Sequence, residues 1–183
     1  KIGDKLDPNL SFVDETGKSV QLADYMALGK PIMISPIYFS CPGLCSLHLN
    51  GLIDGLKGIE LTPGKDFTLL SVSFDSRETS DVALPKKRNY LKTYGRPEAD
   101  GGWHFLTSNA DQIQKFTQSI GFRFKWDEKA QQWSHASAAI LVDSSGTITR
   151  YLPGVFFLPQ DLKFSLLETA KGKLGGFIDQ LVL

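Results

Sequence analysis

Apolar positions along the chain follow two periods, and the switch between them gives the order of elements. Residues 10–14 and 19–22 flank Glu15-Thr16-Gly17-Lys18 and read as a hairpin with a glycine turn. Residues 31–39 form an apolar run of buried-strand length, interrupted by Pro36. Because proline cannot donate to a ladder, a bulge or strand end is expected there. The period then lengthens. Cys45, Leu49, Leu52, Ile53 and Leu56 recur at three- and four-residue spacing and make one apolar helix face. Residues 67–74 read as the next strand, and 79–94 as a second helix stopped by Gly95. Residues 103–107 form a short strand, and Asn109 caps a third helix to about 119. Residues 138–142 and 147–151 bracket the turn Asp143-Ser144-Ser145-Gly146, and 159–171 is a final helix ended by Gly172. Strands alternating with helices and closed by an antiparallel hairpin predict an α/β fold, a mixed sheet with helices on both faces. In such sheets functional groups gather beyond the carboxyl ends of strands, which is where Cys41 falls.

A length of 183 residues, 42% of them hydrophobic, fits one domain over 1–183 with a core that needs no disulfide. Twenty basic residues balance twenty acidic ones, so no net field points to nucleic acid. No apolar run approaches the roughly 20 residues that span a bilayer. The chain starts at Lys1, not Met, as a mature or trimmed form would, so the compartment is not read from its N-terminus. The apolar residues 178–183 stop abruptly and leave room for a truncated tail or a membrane anchor outside this chain.

The chemistry lies in the cysteines. There are two, Cys41 and Cys45, in Ser40-Cys41-Pro42-Gly43-Leu44-Cys45 at a strand-to-helix junction. Such a pair binds a soft metal, cycles as a redox couple or staples the chain. A staple closing so small a loop stabilises little. Pro42 suits the first helical position, which puts Cys41 at or near the N-cap, where the dipole and unpaired N–H groups favour thiolate. Residues four apart on a helix hold their Cβ atoms about 5–6 Å apart, whereas a disulfide wants about 3.5–4.5 Å. The wider spacing suits two sulfurs sharing a soft ion such as Cu(I). A third ligand is expected from a histidine. His48 reads as a helix-surface residue and His104 as a packed strand residue. His135, in a loop entering the strand at 138–142, is placed to reach a neighbouring strand end.

These residues resemble the Sco/SenC family. Ser40 to Cys45 is similar to its Cys-Pro-x-x-Cys signature. Residues 71–79 are similar to its Ser-x-Asp-Pro-x-x-Asp-Thr segment, and Ser134-His135-Ala136-Ser137 with 140–146 to its late histidine and hairpin. The tail from Asp161-Leu162 through Gly172-Lys173 and Gly175-Gly176 resembles a bacterial subgroup. The resemblance spans nearly the whole chain and implies a thioredoxin-like fold of peroxiredoxin type with an N-terminal β-hairpin. It implies delivery of copper, Cu(I) or Cu(II), to the binuclear centre of cytochrome c oxidase. It implies Cys41, Cys45 and His135 as ligands. The copper-bearing oxidase subunit and other copper chaperones or thioredoxin-like reductants are the implied partners. It also implies a membrane-tethered location facing the periplasm or the intermembrane space, and a thiol reductase role. The chain departs from the family at Asp75-Ser76, where the proline is lost, and at Glu78 in place of the second aspartate. Asp75 remains as the candidate carboxylate behind the ligands.

Two rival readings share the fold. The peroxiredoxin motif requires its cysteine where this chain has Gly43, and thioredoxin oxidoreductases use one fewer intervening residue. A reductase built on Cys41 and Cys45 remains the alternative to a metallochaperone. Elsewhere Lys86-Lys87-Arg88 reads as a solvated helix face, and 122–126 alternates like a strand. Asp54 and Glu60 have no evident partner, and Phe156-Phe157-Leu158 reads as a loop packed on the core.

Overall fold

The chain folds as β1 (Ser11–Val13), β2 (Ser19–Gln21), α1 (Leu22–Met26), β3 (Ile32–Ile37), α2 (Leu44–Lys57), β4 (Thr68–Ser73) and α3 (Ser80–Tyr94). A 3-10 helix (Pro97–Gly102), β5 (Trp103–Leu106), α4 (Ala110–Ser119), β6 (Phe124–Asp127) and β7 (Gln132–His135) follow, then β8 (Ala138–Val142), β9 (Ile148–Pro153) and α5 (Pro159–Ala170). The structure is a computed structural model that describes residues 1–175; the apolar run at 178–183 lies outside the described residues.

Five strands form the central sheet in the order β5-β4-β3-β8-β9. β3, β4 and β5 are parallel, and β8 and β9 join antiparallel. β3, β4 and β8 are buried at every position, as central strands covered on both faces are, and their side chains are mostly apolar. α2 packs on α3 and α5, with Leu49, Leu52, Ile53 and Leu56 buried on the face read from their spacing. The N-terminal hairpin β1–β2 joins the sheet margin through reciprocal Val13–Thr107 backbone bonds of 2.8 and 2.9 Å.

Several expectations need correction. β3 runs straight through Pro36, which pairs with Val72, and the sheet's register shift lies instead between β8 and β9 at Leu141/Val142. The antiparallel ladder to β8 stops at Ile34, two residues short of the proline, so its missing N–H breaks no bond there. Lys87 is not a solvated helix residue. It is buried, with Nζ 2.6 Å from Glu15 Oε1 and 3.0 Å from Asp100 Oδ1. Burial opposes ionisation of Glu15, but hydrogen bonds from His104 and Lys87 outweigh it and hold the carboxyl at about 2. Glu60 does have a partner, Lys163 at 2.6 Å. Phe157 packs on the core, whereas Phe156 is 90% exposed.

Candidate metal centre

β3 delivers the chain to the carboxyl edge of the sheet, and Tyr38, Phe39 and Ser40 lead into Cys41. Helix α2 starts at Leu44 with Gly43 as N-cap, later than expected, so Pro42 is not its first residue and Cys41 is not its cap. Gly43 has φ −150° and ψ −87°, and the chain turns once more before the helix begins. The electrostatic expectation survives by another route. Cys45 is the second helical residue, its N–H is one of the unpaired donors of the first turn, and Cys41 Sγ accepts it at 3.3 Å.

Both cysteines are buried. The neighbouring Cys45 thiol pushes the Cys41 pKa down to about 3, against the cost of burial and with help from the N–H groups of Gly43 and Cys45. Cys41 and burial in turn push Cys45 far up, so the pair keeps its one proton on Cys45. Tyr38, whose hydroxyl is buried with no partner at hydrogen-bonding distance, lies beside them. Burial, then the Cys41 sulfur, raises its pKa.

His135 is not a loop residue. It ends β7, in a two-stranded sheet with β6 separate from the main sheet, opposite Phe124. Its ring lies against Phe74 and Phe122, with centroids 5.0 and 5.9 Å away, and Tyr38 meets it edge-on at 6.0 Å. Nδ1 is 2.6 Å from the Ala136 carbonyl, an acceptor only, so the proton is on Nδ1. Nε2 therefore turns its lone pair towards Cys45 Sγ, 3.4 Å away. A ligating histidine is commonly held in this way, with its other nitrogen on a carbonyl.

The carboxylates divide the work of support. Asp75 receives Trp133 Nε1 at 3.0 Å and a two-toothed contact from Arg77 at 2.6 and 2.8 Å. Burial opposes its ionisation, but those bonds hold its pKa below the ordinary value. Trp133 lies two residues before His135, so Asp75 anchors the histidine's strand. The cysteine loop is held by Glu78. Its oxygens receive Phe39 N–H and Ser40 N–H, each at 2.7 Å, and the Ser73 hydroxyl at 2.6 Å. No periodicity marks Glu78 in the sequence, where it stands out only as a departure from the family segment.

His48 also departs from expectation. It is 1% exposed, not on the helix surface. Burial pushes its pKa down to about 4, so the ring is neutral near pH 7. His104 is packed as expected, against Tyr25 at 5.1 Å and Glu15 at 3.3 Å.

The three candidate ligand atoms, the Cys41 and Cys45 sulfurs and a His135 nitrogen, lie within 4.8 Å of one another. An ion bonded to three ligands at about 2.0–2.3 Å holds them roughly 3.5–4 Å apart, so small adjustments close the triangle. Two soft sulfurs and one imidazole match Cu(I) better than any hard cation.

A family model described as SCO1/SenC matches residues 3–162. The structure superimposes on a protein of Aquifex aeolicus VF5, named as a candidate for electron transfer, with a TM-score of 0.81 at 27% identity, over 94% of this chain and 96% of that one. It superimposes on Arabidopsis thaliana ScoI with copper bound, with a TM-score of 0.71 at 18% identity over 94% and 99%. It superimposes on BsSco, described with a disulfide switch in the Sco family of cytochrome c oxidase assembly proteins, with a TM-score of 0.66 at 22% identity over 93% and 96%. No curated protein sequence matches the chain. These likenesses show the thioredoxin-like fold, here a mixed five-stranded sheet with an N-terminal hairpin.

Proposed function

The chain belongs to the SCO1/SenC family, and from that premise we propose that it carries one copper ion for assembly of the binuclear copper centre of cytochrome c oxidase. The observation that carries this reading is the convergence of His135, 90 residues beyond Cys45 in sequence, with Cys41 and Cys45 on one point. Cys41 already holds negative charge at the helix N-terminus, Cys45 loses its proton when the ion enters, and His135 Nε2 offers its lone pair. The ion is cargo. Thiolates of the copper-bearing oxidase subunit, the proposed recipient, displace His135 and then the cysteines in turn.

A second reading rests on the same pair of sulfurs. A thiolate at Cys41 attacks a partner disulfide, and Cys45 then resolves the mixed disulfide. Two electrons pass to the partner, whose cysteines are reduced as Cys41 and Cys45 are oxidised. The acidified Cys41 favours it. The two readings are compatible, since reduced recipient cysteines are needed to take copper. We further propose one domain over 1–183, supported by the single apolar cluster that spans β1 to α5. A location facing the periplasm or the intermembrane space, with a tether outside this chain, belongs to the same family reading. Among the described residues no helix is long and apolar enough to cross a membrane.

Copper titration of the reduced protein tests the carrier. One copper per chain is expected, with a sulfur-to-Cu(II) charge-transfer band that Cys41→Ser and Cys45→Ser each abolish. His135→Ala should shift the band and weaken binding by more than about tenfold. Unchanged spectra in His135→Ala would remove it from the ligand set. No tight copper, with ready exchange of a Cys41–Cys45 disulfide, would leave the reductase alone.

A further inference from the structure

We infer that His48 is the positioning residue that couples the cysteine helix to the strand carrying His135. This rests on the copper site proposed above but not on any titration within it. His48 lies one helical turn beyond Cys45, and its ring points into the protein. Its Nε2 is 2.6 Å from Ser35 Oγ, on the fully buried β3. Its Nδ1 is 2.9 Å from Ser137 Oγ and 3.3 Å from the Gly154 carbonyl. Ser137 is two residues beyond His135.

The hydrogen bonds assign the ring's proton. The Gly154 carbonyl can only accept, so its contact requires hydrogen on Nδ1. Ser137 Oγ, 3.1 Å from the same carbonyl, donates to it and receives from Nδ1. The Ser35 hydroxyl then donates to Nε2, and every polar atom of the ring is paired. Gly154 N–H closes the set on the Ser137 carbonyl at 2.8 Å. Phe157 stands edge-on to the ring at 5.4 Å and blocks sideways displacement.

The consequence is geometric. Among the described residues, Cys45 and His135 belong to bodies with no shared backbone ladder: α2 lies on the central sheet, and β7 pairs with β6. Asp75, through Trp133, holds β7 on the side before His135. His48, through Ser137, holds the chain on the side after it, and from the same helix that presents Cys45. A change in the angle of α2 is therefore transmitted to both ligands together, and the 3.4 Å separation of Cys45 Sγ and His135 Nε2 is kept.

Side-chain mimicry separates this role from core filling. An asparagine amide reproduces a histidine's Nδ1 and a glutamine amide its Nε2. His48→Asn keeps the donor to Ser137, His48→Gln keeps the acceptor for Ser35, and Ser137→Ala removes the coupling with the ring intact. In the reduced, metal-free protein the His135 ring resonances should move in His48→Gln and Ser137→Ala and stay near their original positions in His48→Asn. Copper affinity should fall roughly 10–100-fold in the first two and be restored to within a few-fold in His48→Asn. His135 resonances and copper affinity unchanged in Ser137→Ala, or losses in His48→Asn equal to those in His48→Gln, would overturn the coupling. If the parent protein binds no copper while the metal-free resonances follow this pattern, the coupling stands and the copper reading fails.

Discussion

At the scale of the residue, the neutral buried His48 makes mild acid a specific threat. Its pKa is about 4 in the folded protein and near 6.5 when unfolded. Between those values the unfolded chain binds the extra proton, so stability rises with pH in that window. The contribution is complete above about pH 6.5 and is lost as pH falls towards 4, with a full cost of roughly 3 kcal/mol. Glu15, held at about 2, adds its own loss only below its ordinary value of 4.5. Urea unfolding at pH 7.5 and pH 5 should show a falling midpoint in the parent and a much smaller fall in His48→Asn. An equal fall in both would show that another group sets the acid limit. Polarity alone does not distinguish His48 from a surface histidine in the sequence. Its partners Ser35 and Ser137 are 13 and 89 residues away, and only the packed chain brings them to one ring.

At the scale of the element, helix α2 shows what a periodic reading captures and what it misses. Its apolar face follows from side-chain spacing, and the structure buries that face. A second face is made by absence. At Gly51 a Cβ would collide with the Val155 carbonyl oxygen, and at Gly55 it would lie 2.6 Å from the Phe157 carbonyl oxygen and Leu162 Cδ1. The 155–158 loop thus lies against bare backbone, and α5 follows directly from it. Gly51→Ala meets backbone atoms that cannot rotate away and should destabilise by about 1–3 kcal/mol despite the better helix propensity of alanine. Thermal unfolding checks this. A Tm equal to or above that of the parent would mean that the loop is free to lift. The late start of the helix has a related cause. Pro42 is suited to a first turn, but Gly43 permits an extra turn of chain, and that turn places Cys41 Sγ over the Cys45 N–H.

At the scale of the whole molecule, the candidate centre bridges two parts of unequal support. Cys41 and Cys45 rest on β3 and α2, deep in the shared core. His135 rests on the β6–β7 hairpin, whose residues alternate between half-buried and exposed, and a cleft of about 530 Å³ opens beside it between Phe124, Trp133 and α4. An ion bound to all three ligands cross-links hairpin and core. At a free copper concentration 100 times Kd, binding should stabilise the native state by about 2.7 kcal/mol. Slowed amide exchange should be largest at β6, β7 and residues 38–45. Protection confined to 38–45 would show that copper is held by the sulfurs without the histidine.

The order of the central strands and of α2 to α5, the buried strands, the apolar face of α2, the paired thiols and the late histidine follow from sequence alone, because periodicity and residue chemistry are local properties written along the chain; α1 and the pairing of β6 with β7 do not. The family segment around Cys41 and the histidine at 135 name the same three residues that the fold brings within 4.8 Å. The start of α2, the burial of Lys87 and His48, the strand position of His135 and the grip of Glu78 on the cysteine loop were decided by tertiary structure. The start of α2 turns on Gly43, and the others depend on partners elsewhere in the chain: Glu15 for Lys87, Ser137 for His48, Phe124 across the hairpin for His135, Phe39 and Ser40 for Glu78. Burying these polar side chains requires partners that offset the cost of leaving water, and those partners are in place only once the chain has closed on itself.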